Sequence, residues 1–541
     1  MTQRTARPRR STNTFLLASI LSGGLLGCAF PPMAWSGLVW IGLVPLLWVL
    51  HETRKTRWAF ICGALAGCSF FLITFHPLLS AQSWVGWARE SSEASAWRLG
   101  RQWWFLHSLW IGFALLGAMC WGVWAVIVHR LASGKRWRWM LVVSCGWVLI
   151  AEWVRVQITC GFTWAVLGNA TAHVAAIRQL ASLGGVWLLS FLVVMVNAAL
   201  AQLSYGPRRT SWWLVPVTVL ALAMMEWGRG RFLLARPLRS DETFQAAALQ
   251  YHKTTYELRD FTSFGLDRGY VPWLQQALQQ RVRLLVLPES IVLGAMSLDG
   301  TTSQMKPPEF HAPLTKWEEF ARGLLARTPT VFVIGMDTVE QGRDHNTLVA
   351  WTAEGTTGWY HKQRLVPFAE SHPTAWGSWV VHGQSQYAPG KGSQLIQAQG
   401  LTVGGFICQE VLIPSVTRQS VRDGASILVS GGNDGVFKDP AVAQVQAAAA
   451  QLRAVETGRY LVRAMKTGVS AIIDPRGHEE ARSRLDEPVL LVGSVSPRRG
   501  LTPYVRWGDW VVWGSAAVLI WMAAAPRNRR RRLDATNRRR V

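Results

Sequence analysis

"GGFICQEVLIP" (404–414) decides how this chain is read. An apolar run that begins on two glycines stops at Cys408, two polar residues follow, and the chain turns apolar again at Val411. The run has the character of a buried strand, which puts Cys408 at a strand's carboxyl end. On its own Cys408 would be a small buried hydrophobe, as free cysteines usually are. Of the seven cysteines, Cys28, Cys62, Cys68, Cys120 and Cys145 lie within apolar stretches and Cys160 just after one. No CxxC spacing or disulfide framework is present. Cys408 alone belongs to the long hydrophilic portion, where an unpaired thiol needs a chemical explanation.

Outward from that strand, composition divides the chain. Half of its 541 residues are hydrophobic, 31 are tryptophan and only 16% are charged, against about a quarter charged in soluble domains. Apolar segments near the ~20 residues that cross a bilayer occupy 14–30, 34–50, 58–78, 104–128, 139–156, 182–203, 211–228 and 510–525. About eight spans are therefore expected, with an uninterrupted hydrophilic stretch between the seventh and eighth. The formal charge of +24 is clustered at 4–10, 54–57, 134–138, 207–209 and 527–540. With a cytoplasmic N-terminus, every cluster falls on the cytoplasmic side, as the positive-inside rule requires. The expected organisation is a transmembrane domain at 1–228, an extracytoplasmic domain at 229–508, a last span at 509–525 and a basic cytoplasmic tail at 526–541. No basic face or nucleic-acid motif accompanies the charge, so nucleic acid is not an expected partner. "LLGC" (25–28) looks like a lipobox, but "FPPM" leads straight into another apolar segment and the charge alternation favours a retained first span.

The 229–508 region reads as α/β. Strand-like runs recur at 245–251, 283–289, 330–336, 348–351, 401–408, 426–432, 460–465 and 470–474, with helical stretches at 270–280, 314–327 and 440–458. Alternation of this kind indicates a sheet with helical cover. Several strands come in hairpin-like pairs, so the sheet is expected to be mixed.

Three strand ends carry unusual polar residues. "VLPES" puts Glu289 directly after an apolar strand, "GWYHKQRLVPFAE" puts Lys362 and Glu370 in one loop, and "GGFICQE" ends in Cys408 and Glu410. Singly, Glu289 would cap a turn, Lys362 would be a surface lysine and Cys408 would be packing. Together, a carboxylate, an ammonium and a thiol are the groups that thiol acyl transfer needs. The carboxylate takes the thiol proton, the cation stabilises an oxyanion and the thiolate attacks a carbonyl.

In that order, Glu289, Lys362 and Cys408 resemble the triad of the carbon–nitrogen hydrolase (nitrilase) superfamily. The chain is more closely similar to that superfamily's membrane-embedded branch, the apolipoprotein N-acyltransferases. "EWVR" with "GFTWAVLGNA" (152–155, 161–170), "GGVWLLSFLVVMVNAAL" (184–200), "YHKQRLVPFAE" (360–370), "CQEVLIP" (408–414) and "RAVETGRYLVRAMKTGVSAIIDPRG" (453–477) carry the likeness. It implies a polytopic helical membrane domain with a nitrilase-like α/β sandwich inserted before the last span, in a bacterial inner membrane with the catalytic domain periplasmic. It also implies transfer of an acyl chain from a membrane phospholipid to the α-amine of an S-diacylglyceryl cysteine at an apolipoprotein N-terminus, through a Cys408 thioester. Glu289 would be base and then acid, and Lys362 the oxyanion cation, helped by the backbone N–H of Gln409. Glu370 and Glu410 would support them. No metal or organic cofactor is expected.

Where the family carries a "QGN"-like turn, Gln250 is followed here by Tyr251 and His252; Gln409 stands where an aromatic is common, and "SHP" (371–373) replaces a Tyr-Val-Pro-like continuation. Two other readings use the same residues. One is a membrane-tethered amidase hydrolysing a small amide, the other a lipoprotein-binding membrane protein without catalysis. The aromatic loop 372–387 is expected either to lie at the membrane interface as a gate or to pack on its own domain.

Overall fold

The computed structural model describes residues 11–81, 96–132, 136–204, 214–236, 238, 242–251, 268–292, 294–303, 312–326, 328–367, 369–371, 387–435, 437 and 439–524. Residues 372–386 of the aromatic loop, the basic clusters at 4–10, 207–209 and 527–540, and His252 lie outside them.

The N-terminal half is helical. Among the described residues four helices are long and apolar enough to cross a membrane: Thr56–Ser80, Trp103–Leu131, Arg136–Ile158 and Ala181–Leu203. Three shorter apolar helices are Thr12–Cys28, Ser36–Glu52 and Trp510–Ala524. The seventh expected segment, 211–228, falls on a helix at Leu214–Ala235, whose last turns carry Glu226, Arg229 and Arg231. These helices bury an aromatic core, with Phe70 stacked on Trp121 at 5.1 Å and Trp147 against Trp121 and Trp124 at 4.6 and 4.9 Å. Their outer faces leave Leu17, Leu115, Met119, Met224 and Ile520 more than half exposed. Water does not tolerate so broad an apolar surface on a stable bundle, whereas acyl chains do.

The α/β region is a two-sheet sandwich. One sheet holds β1 (Phe244–Gln250), β2 (Leu284–Val286), β3 (Ala295–Ser297), β4 (Ala312–Pro313), β5 (Val331–Glu340), β6 (Arg343–Thr352), β7 (Gly355–His361) and β14 (Val489–Val495). Its order is β14-β1-β2-β5-β3-β4, with β6 and β7 running on from β5 as antiparallel hairpins. The other holds β8 (Leu395–Ala398), β9 (Leu401–Ile407), β10 (Ile427–Gly432), β11 (Leu461–Met465), β12 (Ala471–Ile473) and β13 (Glu479–Arg482), in the order β13-β12-β11-β10-β9-β8. Both sheets are mixed, with β1-β2-β5 and β9-β10-β11 parallel. Val286, Val333 and Leu348 of the first sheet meet Val403, Ile407, Val429 and Val462 of the second in one buried core.

Helices Val271–Gln279 and Leu314–Leu325 cover the outer face of the first sheet. Pro414–Arg422 and Pro440–Thr457 cover the second, and their core is continuous with that of the membrane helices. The joint is polar as well as apolar. Arg453, wholly buried, donates to Val411 O at 3.1 Å and pairs with Glu456 at 2.7 Å; Glu456 accepts the Val186 N–H at 2.9 Å. Thr163 donates its hydroxyl to Leu412 O. The "GFTWAVLGNA" segment thus lies directly behind the turn that follows Cys408.

Candidate active site

Each site residue comes off a strand end. Glu289 follows β2 after Leu287 and Pro288, and Ser290 beside it takes φ +53°. A Cβ on Gly335 would stand 2.6 Å from Glu289 Cα, so only glycine lets β5 run this close to that strand exit. Cys408 ends β9 at φ +53°, a left-handed conformation costing a non-glycine residue on the order of 1–3 kcal/mol. Gly432 at the end of β10 approaches it; an added Cβ would meet Cys408 Cα at 3.3 Å. Lys362 follows β7, locked by its N–H to Asn346 O and by its carbonyl accepting from Gly390 N, both 2.8 Å.

The ends of β2, β7 and β9 converge from both sheets. Lys362 Nζ, almost wholly buried, lies 2.7 Å from Glu370 Oε1 and 3.8 Å from Glu289 Oε1. Asn346 Nδ2 spans the two carboxylates, donating to Glu289 Oε1 at 2.5 Å and Glu370 Oε1 at 3.0 Å. Glu370 also accepts the Val366 N–H at 2.8 Å. Cys408 is partly exposed, and its Sγ is 4.0 Å from Asn433 O. Glu410 is wholly buried. Its Oε1 accepts the N–H groups of Gln363 and Arg364 at 2.8 and 2.9 Å, and its Oε2 accepts Ile407 N–H at 2.8 Å and Tyr360 Oη at 2.9 Å. Gln409 reaches sideways, donating to Arg364 O at 3.2 Å.

Electrostatics follow from burial. Desolvation pushes the Glu289 carboxyl up, against the pull of Lys362. Burial would drive the Lys362 ammonium down, but Glu370 and Glu289 reverse this and hold it charged well above an ordinary lysine. Burial, then the Glu289 charge, pushes the Cys408 thiol well above its usual value, with Lys362 opposing. Burial therefore favours the thiol form of Cys408, with the Glu289 carboxyl and the Lys362 ammonium within electrostatic range.

Four residues of this neighbourhood escape sequence reading: Asn346, Tyr360, Asp434 and Arg463. Asn346 sits among the polar residues Arg343–Thr347 that open β6, so nothing in the sequence singles it out. Asp434, pushed up to about 7 by burial, accepts from Gln446 Nε2 at 2.7 Å, and Arg463 donates to Gln446 Oε1 at 2.7 Å.

Two strands of comparison bear on this arrangement. Residues 219–498 match the carbon–nitrogen hydrolase family and residues 22–199 match the apolipoprotein N-acyltransferase N-terminal domain. The α/β sandwich is thus a carbon–nitrogen hydrolase domain. Over 534 residues the chain is 30% identical to the apolipoprotein N-acyltransferase of Gloeobacter violaceus, covering 95% of this chain and 94% of that one. It is 27% identical over 564 residues to that of Mycolicibacterium smegmatis, covering 97% and 88%. The chain belongs to the apolipoprotein N-acyltransferase family and is an enzyme.

Proposed function

We propose that the chain transfers an acyl chain from a membrane phospholipid to the α-amine of a diacylglyceryl cysteine, with Cys408 as the covalent carrier. The observation that carries this reading is the convergence of Glu289, Lys362, Glu370 and Asn346 at the strand ends beside Cys408, on a domain bonded to membrane helices. Cys408 Sγ attacks the ester carbonyl as its proton passes to Glu289. The oxyanion forms beside Lys362 Nζ and the Gln409 N–H. The C–O bond then breaks, Glu289 returns the proton to the departing lysophospholipid oxygen, and a thioester remains. The acceptor amine attacks that thioester, Glu289 takes the amine proton, and the released thiolate regains it as the amide forms. Glu370 holds Lys362 in place, and Glu410 holds the turn carrying Cys408.

A thioester that must meet an amine rather than water needs a dry site. Acyl chains presented from the bilayer avoid a cost of about 0.8 kcal/mol for each CH₂ brought into water. In this reading the chain crosses the membrane eight times, with 1–228, 229–508, 509–525 and 526–541 as its successive parts, the sandwich periplasmic and both termini cytoplasmic. The clustering of Arg and Lys supports that orientation.

The test is intact-mass measurement of the full chain after incubation with phospholipid vesicles, followed by a diacylglyceryl peptide. One acyl adduct is expected on the wild type, absent in Cys408→Ser and discharged by the peptide to an N-acyl product. Free fatty acid without N-acyl peptide would overturn the transfer, and an adduct that survives in Cys408→Ser would overturn the nucleophile.

A further inference from the structure

The two strands that deliver Asn346 and Lys362 to the catalytic pocket have a second face. Side chains alternate across a strand. Asp337 of β5 is paired with Asn346, and Lys362 continues the register beside it, so these share the catalytic face. Thr338 is paired with His345 and Thr347 with His361, so Glu340, His345, Thr347 and His361 share the reverse face. We propose that Glu340, His345 and His361 form a binding site for one divalent ion of the zinc class, back to back with the catalytic lysine and independent of the acyl-transfer chemistry.

The donor atoms are already gathered. One ligand atom from each of the three lies within 4.8 Å of the others, and His361 Nε2 is 3.3 Å from Glu340 Oε2. A site with bonds of about 2.0–2.2 Å holds its ligand atoms some 3.3–3.5 Å apart. Glu340, about one-third exposed, has the freedom to close the remaining gap. The two imidazoles are fixed from behind. His345 Nδ1 is 2.9 Å from Ala388 O, an acceptor only, so Nδ1 carries the proton and Nε2 is left as a lone pair. His361 Nδ1 is 2.8 Å from Thr347 Oγ1, whose hydroxyl also lies 2.6 Å from Thr338 Oγ1 and 3.3 Å from His345 O. When that hydroxyl donates to either of these oxygens it accepts from His361 Nδ1, which again leaves Nε2 as the free lone pair. This backing of metal-ligating histidines by carbonyl or hydroxyl groups is how such ligands are oriented.

The arrangement is unfavourable without a cation. His361 is almost wholly buried, and its Nε2 makes no hydrogen bond while facing a carboxylate oxygen. A metal ion satisfies all three lone pairs. Two imidazole nitrogens with one carboxylate suit zinc, cobalt or nickel rather than magnesium or calcium, which take oxygen ligands. The ion would staple the ends of β5, β6 and β7, one residue from Asn346 on one strand and from Lys362 on the next. It would also tie down Ala388, whose N–H is bonded to Asp344 O at 2.8 Å.

The experiment uses the full chain in detergent, stripped with a chelator and titrated with Co²⁺ alone, then with Zn²⁺ in competition. One Co²⁺ per chain is expected, with d–d bands of a nitrogen–oxygen ligand set and no thiolate charge-transfer band. Glu340→Gln, which changes an exposed side chain and leaves the buried histidines in place, is expected to weaken binding at least about tenfold. His345→Gln is expected to abolish it, and Cys408→Ser to leave it unchanged. Zn²⁺ is expected to raise the unfolding temperature of the wild type and of Cys408→Ser but not of His345→Gln. Failure of the wild type to bind Co²⁺, loss of binding in Cys408→Ser, or equal thermal shifts in all three proteins would each overturn the proposal.

Discussion

The pocket in front of Cys408 and the turn behind it each bury a glutamate, and the two are treated oppositely. Glu410, behind, has both oxygens occupied by donors: three backbone N–H groups and the Tyr360 hydroxyl. Glu289, in front, accepts from Asn346 and lies 3.8 Å from Lys362. Burial raises both carboxyls, Glu410 up to about 7. The difference lies in what their lone pairs are free to do. A carboxylate surrounded by four donors is a fixed point that sets the position of a turn. One with few donors and a cation nearby can take up a proton and return it. Elevated basicity alone does not make a general base; a free acceptor direction does.

The largest expected effect separates the two glutamates directly. Glu289→Gln should lower the rate of acyl-adduct formation by about 10²–10⁴-fold, the usual contribution of general acid–base catalysis, while the unfolding temperature stays near wild type. Since the Glu289 carboxyl is raised and its ionised form is the base in the proposed mechanism, activity should fall as pH drops through that raised value. The acid limb of kcat/KM should therefore lie above the ordinary glutamate range of about 4.3, and it should vanish in the variant. An unchanged acid limb would assign it to another group. Next comes Lys362→Ala. Loss of an oxyanion-stabilising cation should cost about 3–4 kcal/mol of transition-state stabilisation, read as kcat, with the donor KM much less affected. Near-normal kcat would remove lysine from the chemistry and leave it as the counter-ion that keeps Glu289 and Glu370 apart.

How much of this was open to sequence reading depended on whether signal and structure were local. The strands that bear Glu289 and Cys408 are short apolar runs bounded by Pro or Gly, and they stand out at once. The three long helices of the α/β region, near 271–279, 314–325 and 440–457, are legible from their apolar periodicity for the same reason. What escapes is set by distant pairing. β14, "VLLVGSV" after Pro488, is as apolar as the strands that stand out, but its place beside β1, some 240 residues earlier, shows only in the fold. β13 has alternating exposure and the polar sequence "EEAR", which no hydrophobic pattern marks. β3 and β4 are too short for periodicity. Asn346 and the His345–His361 pair gain meaning only from the register of β5, β6 and β7, which places residues 16 apart side by side on one face and leaves Asn346 on the other. The membrane-half motif at 161–170 was readable as a resemblance, but its physical task, bonding the backbone at Leu412, depended on contact across almost 250 residues.

Two changes behind Cys408 sharpen the comparison at the small end. Glu410→Gln turns one acceptor into a donor facing backbone N–H groups. An unsatisfied buried group costs about 1–3 kcal/mol, so this variant should unfold several degrees lower and lose activity in proportion to the folded fraction. Tyr360→Phe is gentler. Burial and the Glu410 charge hold the Tyr360 phenol well above its usual value, so it donates at every working pH. Removing it leaves the three backbone donors to Glu410 in place and conserves the ring that packs between the sheets. A loss of about 0.5–1.5 kcal/mol is expected, the net worth of one hydrogen bond whose acceptor keeps its other donors, with adduct formation within a few-fold of wild type. If instead Tyr360→Phe kept its unfolding temperature and lost acylation as Glu289→Gln does, the turn would be acting in the chemistry. A carboxylate surrounded by donors would then have to be counted among the groups that move protons.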